Sequence, residues 1–399
     1  MPDKIIPNKQ QAVAIKEGVK WYKKGTSQLF VIAGYAGTGK TTIVSEIIRE
    51  CGLKIHEAAY VAYVGKAAMV LSMKGLPART IHSLIYECID VVKRDEFGNV
   101  VKTPEGKLVF TKKFVLKKEL PNNIKLIVVD EGSMVSDAIL DDLMSFGKPV
   151  IILGDNHQLP PVFGISSCMR KPNVILTEIM RQAADNPIIH FATLARQQRW
   201  DDFKNGVYGH KVFIAPREEV FKSQKLIRNS NVIICAYNRT RELLNKYIRE
   251  DIYGLPPDKL VIGDKLICRE NCWDTQLEGH PDICLTNGTI GYVKYIDWEE
   301  SSKRFISFDF SPEYKREAYF YGVTLDWKYL HQLTYSERQG YISEHTKFEL
   351  GYAITCHLSQ GSQYDNVLIY NETAHRGNDY SRWLYTAITR AVSKLIIAV

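Results

Sequence analysis

The stretch "VIAGYAGTGKTTIVSEII", Val31 to Ile48, sets an apolar run, a glycine-dense turn and an amphipathic helical pattern one after another without a break. Within it, Gly34 to Thr41 fits the G-x-x-x-x-G-K-[ST] pattern in the strand-to-helix setting that the pattern requires. Glycines let backbone N–H groups close around phosphates, and a helix N-terminus adds its dipole to the attraction. The spacing therefore assigns a nucleoside triphosphate to Gly37, Thr38, Gly39, Lys40, Thr41 and Thr42. Lys40 meets the β/γ-phosphates and the Thr41 hydroxyl faces Mg²⁺.

Such a loop needs an acidic neighbour at a second strand end. "KLIVVDEGSM" supplies Asp130 for the metal shell and Glu131 to orient or deprotonate the attacking water. A third run, "PVIILGD", ends at Asp155, and Gln158 follows close enough for its amide to reach the γ-phosphate. These runs belong to a longer series, with "LFVIAG", "EAAYVAYV", "NVIICAY", "NVLIYNE" and "KLIIAV", separated by helical patterns. Strands alternating with helices predict an α/β fold of parallel sheets covered by helices. Two stretches break the rhythm. Residues 91–120 are basic, carry turn signals at "DEFGN" and "TPEGK", and read as a β-hairpin insertion. Residues 256–346 hold short β-rich runs around "TNGTIGYVKYI", a larger insertion of small-barrel type.

With 399 residues, 45% of them hydrophobic, the chain can bury a sizeable core and divide into two or more domains. No window reaches the unbroken apolar length of a membrane span, and "MPDKIIPNKQQ" lacks a signal-peptide core, so a cytoplasmic protein is expected. The formal charge of +7 leans toward a polyanionic partner. The eight cysteines mostly sit in apolar runs, as free buried thiols do. Cys268, Cys272, His280 and Cys284 form one group with a ligand count that could suit zinc; the alternative is that Cys268 and Cys284 lie in strands and pack as small hydrophobes.

The ordered set of motifs resembles the superfamily 1 helicases, specifically the B branch with the RecD-like enzymes and the phage Dda helicase, over nearly the whole chain. The resemblance implies two RecA-like P-loop domains, 1–90 with 121–185 and 186–255 with 347–399, facing one another across ATP and Mg²⁺. The 91–120 hairpin then becomes a strand-separating pin, and 256–346 an SH3-like module. In "NKQQAVAI", Gln11 would read the adenine edge. "LTEIMRQ" places Arg181 as an arginine finger and "YTAITRA" presents Arg390 as the second. "TCHLSQGSQYDNV" holds a motif built on Thr355, His357, Gln360 and Gly361. Nucleic-acid contacts carried over residue by residue are Lys66, Thr80 and His82 on the first half and Tyr237, Asn238, Thr355 and His357 on the second. These are hydroxyls, amides and rings that hold phosphates and stack bases. On the hairpin, Phe110 is the first choice for the aromatic that stacks on the last base pair, with Phe97 and Phe114 behind it. The chain departs from the family's usual pattern at Tyr63 and Val64, which replace proline and threonine, and at Leu358, where lysine is frequent.

The resemblance implies an ATP-dependent DNA helicase that moves 5′ to 3′ on single strands. Its partners would be single-stranded and fork DNA, with a single-stranded-DNA-binding protein or replisome component, and it would act as a monomer away from membranes. A translocase that strips proteins or anneals strands without unwinding, or an RNA helicase, shares the same motifs. A nucleotide-dependent switch would need neither the paired arginines nor a pin, and nothing in the sequence resembles the acceptor site of a small-molecule kinase.

Overall fold

The apolar runs become sheet interiors. In the first half, β1 (Leu29–Gly34), β2 (Ala58–Ala62) and β3 (Ala78–Thr80) precede a hairpin of β4 (Tyr86–Val92) and β5 (Phe110–Leu116). Then β6 (Leu126–Asp130), β7 (Val150–Gly154) and β8 (Val174–Leu176) complete a six-stranded sheet, all parallel, in the order β3-β2-β6-β7-β1-β8. The structure is a computed structural model describing residues 6–399 except 74, 93, 95–96, 103–105, 107, 109, 161–165, 181–184, 303 and 373–377.

Helices cover both faces, which is why the strands are apolar throughout rather than alternating. On one side Ile32, Val128, Ile151 and Leu153 pack against Ile43 and Ile47 of the helix Lys40–Glu50. On the other, Val31, Val129 and Ile152 meet Ile81, Leu84, Leu140 and Leu143. The registers Ala33↔Gly154 and Ala62↔Asp130 bring the carboxyl ends of β1, β2, β6 and β7 to one edge, where open α/β sheets hold ligands.

The second half repeats the plan. β9 (Gly206–Tyr208), β10 (Val212–Ala215) and β11 (Val232–Cys235) are interrupted by seven strands: β12 (Lys265–Cys268), β13 (Cys272–Leu277), β14 (His280–Leu285), β15 (Ile290–Asp297), β16 (Phe305–Pro312), β17 (Phe320–Asp326) and β18 (Phe348–Leu350). β19 (Ala353–Thr355), β20 (Tyr364–Tyr370) and β21 (Ala391–Ala398) then complete the sheet β19-β11-β20-β21-β10-β9, parallel except for β9. Two RecA-like units with parallel sheets are thus present. The interrupting strands form an antiparallel sheet, β17-β16-β15-β12-β18, and a ribbon, β13-β14, around a separate core of Phe308, Phe310, Phe320 and Phe348. The buried ion pair Arg249–Asp264 (2.6 Å) ties this insertion to the second half, and Lys265, paired within the insertion to Glu313 (3.0 Å), also donates to the Asn231 carbonyl.

Both insertions begin or end outside their expected limits. The hairpin pairs from Tyr86↔Leu116, ahead of residue 91, because strand pairing starts where the short helix Ile81–Ile85 stops. The larger one gains its last strand beyond residue 346, since Phe348 fills its core. No helix among the described residues is long and apolar enough to cross a membrane. Among the same residues no group of three or more His, Cys, Asp or Glu side chains could hold a metal ion. The Cys268 thiol donates to the Glu270 carbonyl, and that of Cys284 to the Trp273 carbonyl.

Candidate nucleotide cleft and nucleic-acid groove

The phosphate loop folds as its glycines require. Gly37 and Gly39 adopt φ of 80° and 78°, a left-handed region that a side chain resists. A Cβ on Gly39 would stand 2.8 Å from the Gln11 amide nitrogen. The Lys40 ammonium donates to the Gly34 and Tyr35 carbonyls at 2.7 and 3.1 Å, and the buried Thr38 hydroxyl donates to Tyr35 at 2.8 Å. The loop lines a cleft of about 330 Å³ together with Thr41, Thr42, Asp130, Glu131, Gln158, Gly361, Ser362 and Arg390. The expected phosphate, metal and water residues of the first half therefore meet an arginine of the second.

Glu131 sits at φ 53°, ψ 43°, a left-handed conformation uncommon outside glycine. Its carboxylate lies 3.7 Å from the Arg390 guanidinium. Arg390 is buried and held by its own half: Nε donates to the Thr386 carbonyl, and the terminal nitrogens to the Ser362 carbonyl and the Thr389 hydroxyl, at 3.1–3.2 Å. The Gln158 side-chain oxygen is buried without a hydrogen-bond partner among the described residues. Arg181 lies outside the described residues.

Gln11 is placed differently from the expected adenine reader. Its amide oxygen accepts from the Asn8 N–H, closing a capping box on the helix Lys9–Lys24. Its nitrogen donates to the Thr38 carbonyl at 3.0 Å and contacts the Met180 sulfur at 3.0 Å. With its donors and one acceptor engaged, Gln11 buttresses the phosphate loop.

A second concavity of about 250 Å³ gathers Lys66, Thr80, His82 and His357 with Phe114 of the hairpin and Asn271, Trp273 and Asn287 of the larger insertion. Rings run across it: His82 lies 5.5 Å from Phe114, and Phe114 lies 6.5 Å from Trp273. Partial burial pushes the His82 imidazole below its ordinary pKa, favouring the neutral ring. Trp273 escaped the sequence reading; its signal is a large aromatic in the otherwise polar strand "CWDTQL".

Several nominated contacts are used otherwise. Thr355 is buried, and its hydroxyl caps the helix Cys356–Ser359 by accepting from Leu358 N–H at 3.4 Å. Thr80 does the same for the helix Ile81–Ile85, accepting from Ser83 N–H at 3.1 Å. Lys66 is only 8% exposed, and its ammonium stands 4.1 Å from the Tyr364 ring centroid across the junction of the halves. It therefore offers no exposed charge to a phosphate in this arrangement. Tyr237, 56% exposed at the start of the helix Asn238–Tyr247, and Asn238 lie outside the groove. Phe110 stands 56% exposed at the outer end of β5, and Phe97 is exposed beyond it.

Comparison with known proteins agrees with this geometry. Residues 7–205 match the family model of an AAA domain, and 350–398 that of the UvrD-like helicase C-terminal domain. The chain is 26% identical over 395 residues to the ATP-dependent RecD2 DNA helicase of Deinococcus radiodurans, covering 93% of this chain and 47% of that protein. It is 28% identical over 137 residues to the ATP-dependent DNA helicase Pif1 of Campylobacter jejuni, covering 33% and 28% of the two. The crystal structure of Bacteroides Pif1 bound to single-stranded DNA superposes with a TM-score of 0.52 at 19% identity, over 99% of this chain and 93% of that one. The two domain matches and the RecD2 and Pif1 relatives support a helicase of the B branch of superfamily 1. It spans about half the length of its RecD2 relative.

Against the usual helicase motif, the departure at Val64 has a visible consequence. Gly361, at φ 70°, approaches so closely that a Cβ there would fall 2.6 Å from Val64 Cγ2 and 3.1 Å from Ala67 Cβ. A valine replaces the family's hydroxyl and packs the two halves together. Leu358, standing where helicases of this branch often carry lysine, packs against the core of the second half.

Proposed function

We propose that the chain is an ATP-dependent DNA helicase that translocates 5′ to 3′ along single-stranded DNA and separates duplex ahead of it. The observation that carries this reading is a shared wall. The cleft is lined by Ala67, Gly361 and Ser362, and the groove by Lys66, Gln360 and Ser362. The helix Gly65–Met73 and the segment following Thr355 thus look into both, so closure on a nucleotide alters the grip on a strand.

The residues present fit Mg²⁺ and ATP: the loop makes its turn through Gly37 and Gly39 at positive φ, and the Gln158 oxygen is buried in the cleft without a partner among the described residues. Thr41 and Asp130 would hold the metal, which when bound supplies neutralising charge at the phosphates. Lys40 and the loop's N–H groups hold the phosphate chain. Glu131 takes the proton of the attacking water, with Gln158 positioning that water. Arg390 offsets charge on the transferring group when the halves close, and Arg181 is assigned the same work by its motif. His82, Trp273 and His357 face the strand, where stacking gives grip without sequence preference.

The test is ATP hydrolysis with and without single-stranded DNA or RNA, followed by displacement of a labelled strand from a forked duplex. DNA-stimulated hydrolysis with displacement is expected. A rate indifferent to both polymers overturns the motor, and stimulation without displacement favours the translocase.

A further inference from the structure

The second half grips the phosphate loop itself. Tyr385, on the helix Asn378–Ile388 just ahead of Arg390, is 2% exposed and reaches across the junction. Its hydroxyl accepts from the Ala36 N–H of the phosphate loop at 2.9 Å and donates to the Asp155 carboxylate. Asp155, buried at the end of β7, also accepts from the His157 N–H at 3.0 Å, and no ion pair joins it among the described residues. One phenol therefore joins the phosphate loop, the third strand end and the helix leading to Arg390. Burial, with Asp155 beside it, pushes the phenol pKa well up, so it stays protonated.

Neighbouring contacts repeat the pattern. The Thr386 hydroxyl accepts from Leu159 N–H at 3.0 Å, and the Gln360 amide donates to the Leu159 carbonyl at 2.8 Å. On the loop's other side, the Arg196 guanidinium lies 3.5 Å from the Tyr35 ring centroid, and His157 meets the same ring edge-on at 5.1 Å. Arg390 is bonded to its own half apart from its ion pair with Glu131, so its stand-off from the phosphate loop is fixed by these neighbouring ties.

We propose that Tyr385 is a positioning residue for hydrolysis: through Ala36 and Asp155 it sets the distance of Arg390 from the phosphate loop. The inference rests on the ATPase reading above. A misplacement of about 1 Å costs on the order of 10²-fold in rate, whereas the loop's phosphate-holding groups are intact without the phenol oxygen. The loss belongs in kcat and not in KM.

Tyr385→Phe keeps the ring in its core and deletes only the oxygen. We expect at least a tenfold fall in kcat of DNA-stimulated hydrolysis, less than threefold change in KM for ATP, and a cooperative melt. Thr386→Val should fall the same way by less, and decides by the same criteria if Tyr385→Phe fails to fold. A kcat within twofold of the parent, or a loss confined to KM, overturns the proposal. Small-angle scattering of the Tyr385→Phe/Thr386→Val protein gives a readout independent of turnover: its radius of gyration should exceed the parent's as the halves part. An unstimulated parent rate refutes the motor reading while that expansion still supports the tie; an unchanged radius with unchanged kcat sinks it.

Discussion

Glu131 is held in the left-handed region at a cost of about 1–3 kcal/mol, and its neighbours leave it no alternative. Gly132 follows it so tightly against β7 that a Cβ there would lie 2.1 Å from Ile152 Cγ2. The conformation turns the carboxylate toward Arg390. Glu131→Gln keeps that shape and removes the base, so ATP and DNA binding should persist while turnover is abolished; near-parental hydrolysis in the folded variant contradicts the assignment. Arg390→Ala should retain most nucleotide affinity and lose about 10³-fold or more in turnover; collapse of binding alongside turnover would make it a ground-state anchor. Lys66 carries a pH signature. Burial, opposed by Glu313 and reinforced by Lys265, pushes its pKa down to about 8. Folding thus disfavours its charge, and the cost is full below pH 8 and fades as the pH rises toward the unfolded value near 10.5. Lys66→Met should therefore raise Tm at pH 7, with the gain shrinking between pH 8 and 10; a gain constant over that range would refute the burial. The phosphate loop was legible because all its chemistry lies within eight consecutive residues. Lys66 was not, because what buries it, Tyr364, stands far along the chain in the other half.

The hairpin is the element that the proposed unwinding would use. β4 and β5 pair from Tyr86↔Leu116 to Val92↔Phe110, and alternation along β5 puts Phe114 and Phe110 on one face. Phe114 is seated among His82, Tyr86 and Trp273, so it joins the hairpin's base to both the first half and the larger insertion. Phe110 lies roughly 13 Å farther out on the same face, at about 3.3 Å per residue, and is exposed. Phe110→Ala should leave Tm and DNA-stimulated ATPase alone and slow strand displacement; displacement at the parental rate would remove Phe110 from the mechanism. Phe114→Ala should also lower Tm, by less than the ~3–5 kcal/mol equivalent of a fully buried phenylalanine, because it is partly exposed. An unchanged melt would show that the base is held elsewhere. The hairpin's existence could be read from its turn signals and basic composition. Its docking partner could not, since a Phe–Trp contact between residues 114 and 273 leaves no mark on either local pattern. Thr80 and Thr355 show the complementary limit: a hydroxyl before a short helix reads equally as a strand contact and as a cap, and here each is a cap.

At the scale of the whole molecule, two sheets of one plan meet across the cleft, and on the proposed motor reading the direction of travel would depend on which half holds the strand when they close. The first half contributes His82 and, through its hairpin, Phe114 to the groove; the second contributes His357, and its insertion adds Asn271, Trp273 and Asn287. Alternation of strand and helix announced both sheets, but not that Val64, Gly361, Lys66 and Tyr364 would pack directly between them. These contacts join the two halves directly, and one of them is made by Val64, where the chain departs from the usual motif. Closure should slide one half along the strand and opening should let the other follow, with polarity fixed by the alternation of grip. The test is a pair of partial duplexes, one with a 5′ single-stranded tail and one with a 3′ tail, unwound in a single turnover with ATP and Mg²⁺. Displacement is expected only from the 5′-tailed substrate. Val64→Thr, which restores a hydroxyl in the groove wall and loosens the packing on Gly361, should keep that polarity while changing the rate, because His82, Trp273 and His357 are untouched. Preferential opening of the 3′-tailed duplex by the parent protein would overturn 5′ to 3′ movement and leave the ATPase assignment standing; a reversal only in Val64→Thr would show that position 64, where the two halves meet beside the groove, sets direction.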